Sequence, residues 1–553
     1  MRPALRYRRY ISVAAIAFLM TCPYLSAESL VTAIQEEAVR ADNDPNGRPL
    51  PLAGHWNTGV TVPAYTPEYQ MRLMEQGHYI IPWFATPVPF DRNVRPEYYE
   101  ATIKRAARLK LPIAFVGTQW ERLLSYEGEF YDRPIPVNPN VVRPDGTIER
   151  KVSPFSDITA WEQCGMLWGA HPMLRQIQEW YPDPPLVLFI SNNEHAKLRW
   201  TDVEKCAAYL AKYPPGLPDE QKRQIVADGW KPRYEALFEG IRKGLVADAW
   251  KKNIRFVGYN AFAPSFVGRW PGWLAHSLST PNDVGPWSGI WQGASVSYYT
   301  NNWDGSTDCN LWSPQTEAMN WLVAREQLPK DRPFWFEMST WDGNSGKPDD
   351  KRTQYAKAGQ TYGPERYVGM VQYGMWLLRP HSVREFRGHN ETLEVTEPYF
   401  RPILAAVDRV HRTPVLREFW QKGELVANPS RPHPYETLLP KQFEGVPRWF
   451  RLDTDLDPKG KWTLHSELPV FALALKLGEK PERRWLVYAH APLKLTPMVK
   501  ITIPEFLTAR VDVPREGAFW LIDEKKKTIE PVKTVESANE AERAISPKPT
   551  KEG

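Results

Sequence analysis

Between residues 54 and 412 the chain alternates eight short apolar, β-branched or aromatic runs with amphipathic stretches. The runs are 54–60, 78–85, 111–118, 186–192, 254–260, 294–299, 333–336 and 382–386. Short continuous apolar runs bounded by Pro or Gly read as strands buried on both faces, which is the habit of parallel sheets. Eight strands alternating with helices is the number that a (β/α)8 TIM barrel needs. Helix signals fill the gaps. Pro96 opens an amphipathic stretch to Lys110. Thr201 to Glu204 has the form of a capping box ahead of Cys206–Tyr213. A long periodic stretch covers 233–251, and Ser313-Pro314 opens another that reaches Arg325. Pro364 opens a face built from Tyr367, Val371, Gly374 and Leu378, and Glu397-Pro398 opens 400–410.

The chain changes character after about residue 412. Short alternating runs at 470–475, 485–489, 499–503, 510–513 and 519–522, with Pro and Gly between them, predict a small antiparallel β-sandwich over 413–532. Residues 533–553 are polar and lack aromatics, as expected of a disordered tail. The first 27 residues read as a secretory signal, with Arg6, Arg8 and Arg9 ahead of an apolar run from Ile11 to Thr21 and small residues at Ser26-Ala27. The expected destination is therefore secreted or periplasmic, and Cys22 is a poor lipoprotein site. That leader carries four arginines and no acid, so its removal takes the net charge from +5 to +1. A nearly neutral surface gives no reason to expect a nucleic-acid partner, and no later run is long enough for a transmembrane segment. Cys164, Cys206 and Cys309 lack metal-ligand spacing and are too few for a disulfide scaffold. The residues leave the oligomeric state open.

Two of the runs end on a glutamate. Pro185 to Glu194 reads PLVLFISNNE, and Arg332 to Trp341 reads RPFWFEMSTW. A carboxylate at a strand exit does little for packing, whereas parallel α/β folds place their chemistry at the carboxyl ends of strands. Glu194 follows the fourth run and Glu337 the seventh, so the two carboxylates are expected across one barrel mouth. Two carboxylates flanking one bond are what acetal hydrolysis needs. One protonates the leaving oxygen and the other attacks the anomeric carbon. Helix capping or an ion pair with a barrel arginine is the plainer role for each taken singly.

An Asn-Glu pair after strand four and a Glu after strand seven resembles the clan A, or 4/7 superfamily, of retaining glycoside hydrolases. The resemblance covers roughly residues 50–412. It implies Glu194 as acid/base, Glu337 as nucleophile and Asn193 as ligand of the sugar 2-hydroxyl. It also implies that Tyr298 or Tyr299, at the end of strand six, meets the nucleophile. The chain departs from the clan at the end of strand eight, where Arg384-Glu385-Phe386-Arg387-Gly388 stands in place of a Trp. After strand two, Arg92 is the nearest and a poorly placed match for the clan's arginine.

Further candidates follow from position. Trp56, Trp83, Trp120, Trp200, Trp303 and Trp341 fall at or beyond strand ends, where aromatic faces can stack on sugar rings or simply fill the core. Asn260 ends the fifth run. Arg384 and Arg387 can fork onto a carboxylate or sulfate, or pair with Glu385 or Glu337. Asp42 to Gly47 imitates the start of a calcium loop, but its twelfth position is Ala53 and Pro45 interrupts it. The expectation is a secreted glycoside hydrolase with a carbohydrate substrate and no cofactor or metal. A catalytically silent glycan-binding barrel is the alternative.

Overall fold

The computed structural model describes residues 48–60, 65–87, 95–126, 128–191, 198–258, 291–299, 335–341, 355–361, 363–386, 392–430, 449–460, 468–506 and 508–535. The expected leader, the calcium-like run and nearly all of the expected tail lie outside them.

The protein is a mixed α/β structure around an eight-stranded parallel sheet. Its strands are β1 (Leu52–His55), β2 (Trp83–Ala85), β3 (Ile113–Thr118), β6 (Val187–Ser191), β7 (Ile254–Gly258), β8 (Gly293–Tyr299), β9 (Trp335–Trp341) and β10 (Ser382–Glu385). A hairpin, β4 (Asn140–Val142) with β5 (Ile148–Val152), is inserted after the third of them. The strand order is β1-β10-β9-β8-β7-β6-β3-β2, so apart from the pairing of β1 with β10, neighbours in this sheet are successive strands of it in sequence. All eight runs read from the sequence are strands here.

Both faces of the sheet are buried, which explains the continuous apolar runs. Phe115, Phe189 and Phe256 stand in register on adjacent strands. Their rings form a ladder, with centroids 4.8 Å and 6.0 Å apart. Phe238, on the helix Asp219–Gly244, stacks on the last of them at 4.0 Å, so this face looks toward the helices. Ala114, Leu188 and Val257 occupy the opposite face and are equally buried. The helix Asp219–Gly244 begins well before the predicted residue 233 and runs through Pro232. It crosses Ile158–Gly169 closely enough that a Cβ on Gly165 would stand 2.2 Å from the Leu237 carbonyl oxygen.

A residue just ahead of β2 also meets β1 through a single isolated bridge. Ala53 of β1 bridges Ile80 in parallel, through Ala53 N–H to Tyr79 O (2.9 Å) and Ile81 N–H to Ala53 O (2.9 Å). Further along, β1 and β2 separate, and the buried amide of Gln70 fills the gap. It donates to Trp83 O (2.6 Å) and accepts from Trp83 N–H (3.0 Å). Left unpaired, each buried backbone group would cost about 1–3 kcal/mol, so one side chain substitutes for two sheet bonds. Near the same seam His78 Nδ1 lies 2.8 Å from Asp408, and His411 stacks on Tyr79 at 3.8 Å.

The C-terminal residues form β11 (Glu424–Leu425), β12 (Phe471–Leu477), β13 (Arg484–His490), β14 (Thr496–Thr502), β15 (Thr508–Val513), β16 (Ala518–Asp523) and β17 (Thr528–Pro531). A five-stranded antiparallel sheet, β11-β12-β13-β16-β17, accompanies the hairpin β14–β15. One face of the sheet, with Leu473, Leu475 and Tyr488, joins the same core as Tyr373 and Trp376 of the helix Pro364–Leu378. The other face, with Ala474, Trp485 and Val487, packs with Val499, Ile501 and Val511 of the hairpin.

Several elements differ from the sequence reading. The run 201–204 is a 3-10 turn, Trp200–Lys205, followed by a single helical turn. The helix read from Pro398 starts at Leu393 and contains both Pro398 and Pro402. The hairpin β4–β5 was signalled by Pro144-Asp145-Gly146, with Gly146 at φ +86°, inside a stretch read as loop.

His490 lies fully buried where the C-terminal sheet meets the helix Pro364–Leu378. Its ring stacks on Phe471, and Nε2 sits 3.2 Å from Met370 Sδ. Burial, with a smaller contribution from Arg451, pushes its pKa down to about 3 from an ordinary 6.5. Burial likewise takes His411 to about 3. Between those values the unfolded chain binds protons that the folded chain does not. The histidine contribution is therefore complete above about pH 6.5 and is lost as pH falls toward 3, by up to about 1.4 kcal/mol per pH unit for each ring. Urea unfolding of His490→Phe across this range is expected to show a shallower acid slope than the parent. Equal slopes would refute the assignment.

Candidate active site

Glu337 is the third residue of β9, since the strand continues through Met338, Ser339 and Thr340 to Trp341. The sequence reading ended this strand at Phe336, because a charged residue after an apolar run reads as an exit. The exit is corrected, but the level is informative. Ser191, Gly258, Ala294 and Phe336 lie on one row of paired strands. Glu337 therefore stands one position beyond that row.

The Glu337 side chain is fully buried, and three donors converge on it. Ser295 Oγ, its partner on β8, donates to Oε1 at 2.9 Å. Ser382 Oγ, its partner on β10, donates to Oε2 at 2.7 Å. Arg384 Nε donates to the same Oε2 and completes an ion pair in which both side chains have no exposure. Buried charge at this depth persists only when paired and hydrogen-bonded. Among the described residues Oε2 thus accepts from two donors and Oε1 from one, which leaves Oε1 the more lone-pair capacity toward them.

Arg384 reaches this place because β10 alternates. Ser382 and Arg384 face Glu337, whereas Glu385 faces the helices, accepting from Tyr367 OH and Thr340 Oγ1 at 2.8 Å each. The guanidinium lies over β1. A Cβ on Gly54 would meet Arg384 Nη1 at 2.6 Å and Cζ at 3.1 Å, so glycine is what leaves the group its room. Arg384 Nη1 also approaches the His55 carbonyl at 3.4 Å. Of the two roles open to Arg384 in the sequence, the structure gives the pairing with Glu337.

The other sequence candidates divide. Trp56 follows β1, is partly buried, and donates its backbone N–H to Glu385 O at 3.0 Å. Of the two roles left open for them, sugar stacking or core filling, Trp83 and Trp120 take the core and are fully buried. Trp83 Nε1 donates to Asn57 O, and its ring meets His55 and Phe400. Trp120 packs edge-on against Trp168 at 4.8 Å on the helix-facing side of the sheet. Both are core, because a strand end covered by a helix offers a large ring an apolar seat. Trp200 is nearly buried under the Arg223 guanidinium. Glu121 is buried and accepts from Tyr234 OH. Tyr298 and Tyr299 belong to β8, paired with Thr340 and Trp341 of β9. Asn193, Glu194, Asn260, Trp303 and Arg387 lie outside the described residues.

Sequence reasoning did not single out Ser295, Ser339, Ser382 or Gly54. The available signal was parity, since Ser382-Val-Arg384 and Glu337-Met-Ser339 put polar groups at alternate positions of otherwise apolar strands. Cys164 and Cys206 are buried free thiols. Among the described residues no cluster of His, Cys, Asp or Glu could hold a metal ion.

No family model and no curated protein matches the chain. Among solved structures it is similar to a noncanonic maltogenic alpha-amylase from Thermotoga neapolitana, at 10% identity over 88% of this chain and 98% of that one, with a TM-score of 0.37. It is also similar to bee venom hyaluronidase, solved with a hyaluronic acid tetramer, at 10% identity over 55% of this chain and 89% of that one, with a TM-score of 0.24. Neither likeness assigns the chain to a family.

Proposed function

We propose that the protein is an exported glycoside hydrolase that cuts a β-linked glycan by double displacement. In this reading the parallel sheet closes along the Ala53–Ile80 seam into a (β/α)8 barrel, and the C-terminal sheet and hairpin form a β-sandwich on it. The observation that carries the reading is Glu337, a buried carboxylate held by Arg384, Ser295 and Ser382 on the seventh barrel strand. The fourth strand ends at Ser191, three residues before Glu194.

In the first step Glu337 Oε1, the oxygen with spare lone-pair capacity, bonds to the anomeric carbon. The glycosidic C–O bond breaks, and Glu194 gives its proton to the leaving oxygen. In the second, Glu194 takes a proton from water, the water oxygen bonds to the same carbon, and Glu337 leaves as a carboxylate. Arg384 favours that departure because the charge returning to Glu337 meets a fixed cation. Asn193 binds the 2-hydroxyl, and Tyr298 or Tyr299 meets the nucleophile.

A silent glycan-binding barrel has one observation in its favour: both Glu337 oxygens are already engaged, as in a purely structural pair. Covalent trapping separates the readings. A panel of 2-deoxy-2-fluoro glycosides bearing a good leaving group is expected to add one glycosyl unit to the protein, located on Glu337 by peptide mass spectrometry. Labelling at another residue would remove Glu337 as nucleophile. Glycan binding with no adduct from any member of the panel would favour the silent barrel.

A further inference from the structure

Two polar groups beside Glu337 are unused. Arg384 Nη2 and Ser339 Oγ are buried, and neither has a hydrogen-bond partner among the described residues. Their residues are register partners, Arg384 on β10 and Ser339 on β9. Ser339 lies two positions beyond Glu337 on the same strand face. A buried guanidinium nitrogen and a buried hydroxyl left empty each carry a desolvation cost, and such groups are uncommon unless something else binds them.

Charge decides what that is. Arg384 already neutralises Glu337, and Glu385 is turned to the other face with Tyr367 and Thr340. The two charges in contact here, Glu337 and Arg384, therefore cancel. A sulfate or carboxylate placed here would set a second anion against one guanidinium in a dry site, at a cost of burying uncompensated charge. A sugar hydroxyl or ring oxygen accepts from both donors and adds no charge.

Resting on the glycosidase reading of Glu337, we propose that Arg384 Nη2 and Ser339 Oγ form a two-donor subsite for an uncharged oxygen of the sugar held against Glu337. The glycan cut is accordingly neutral, neither sulfated nor uronic. This replaces the anion-binding role that the sequence alone left open for Arg384.

The test uses the full chain on an array of neutral oligosaccharides beside sulfated and uronic-acid ones. A spot counts as recognised if protein is retained on it or the glycan is cut. Recognition is expected on neutral spots. On the best of them, Ser339→Ala and Arg384→Lys should each weaken binding or raise KM roughly tenfold. Ser339→Ala leaves the ion pair intact, so its effect is separate from any loss of folding in Arg384→Lys. Recognition confined to sulfated or uronic spots would overturn this inference and leave the glycosidase reading standing. So would a Ser339→Ala protein within twofold of the parent. A chain that recognises no spot would overturn both.

Discussion

If Glu337 is the nucleophile of a glycosidase, Glu337→Ala is expected to lower kcat by roughly three orders of magnitude or more on the glycan that the parent protein cuts. The reasoning begins at the bond being broken. A nucleophile supplies a covalent path, and without it the remaining carboxylate can only protonate the leaving group of a sugar with no attacking partner. The substitution also leaves the Arg384 guanidinium buried without its counterion. Lost activity could therefore reflect lost folding, and a second readout is needed. Azide separates the two. The vacated space lies beside a fixed cation, and a small anion drawn into it can attack the anomeric carbon in place of Oε1. Sodium azide should restore turnover and yield a glycosyl azide. A variant within tenfold of the parent would remove Glu337 as nucleophile. A variant that azide leaves inert, and that unfolds earlier in urea, would mark the residue as structural.

How much of this was legible in the sequence depends on which physical signal each part carries. The eight strands were legible because a sheet buried on both faces needs continuous apolar runs, and Pro and Gly punctuate them. Strand ends were less so. Glu337 reads as a terminus because charge is costly inside a strand, and only the structure supplies the serines and arginine that make the interior position tolerable. The tryptophans show the same limit. Composition says that rings are abundant, but Trp120 goes to the helix-facing core because Trp168 and Phe189 are there to receive it, contacts between residues far apart in the chain. Arg384 had two readings in sequence, an anion site or a pair with a neighbouring glutamate. The choice turned on Gly54, whose missing side chain leaves the guanidinium room above β1. Nothing in the local sequence around position 384 encodes that space.

The second large effect concerns stability. Glu337→Leu and Arg384→Leu are each expected to cost about 3–5 kcal/mol in urea unfolding, because each strands the other's charge in a fully buried site. The double variant should cost much less than the sum, since it removes both charges together and fills the space with apolar atoms. The size of that recovery says why the pair is present. Ser295 and Ser382 would lose their acceptor in the double variant, which sets a residual cost of about 1–3 kcal/mol for each hydroxyl left unsatisfied. If the double variant is as stable as the parent or more so, the pair adds nothing net to folding, and an apolar layer would serve the sheet equally well. The ion pair is then retained for what a carboxylate beside a guanidinium does to a bound sugar, and the double variant should be folded and inactive. Single variants that each cost less than about 1 kcal/mol would mean that both side chains reach water. The three-donor site built around Glu337, and the nucleophile argued from it, would then fall together.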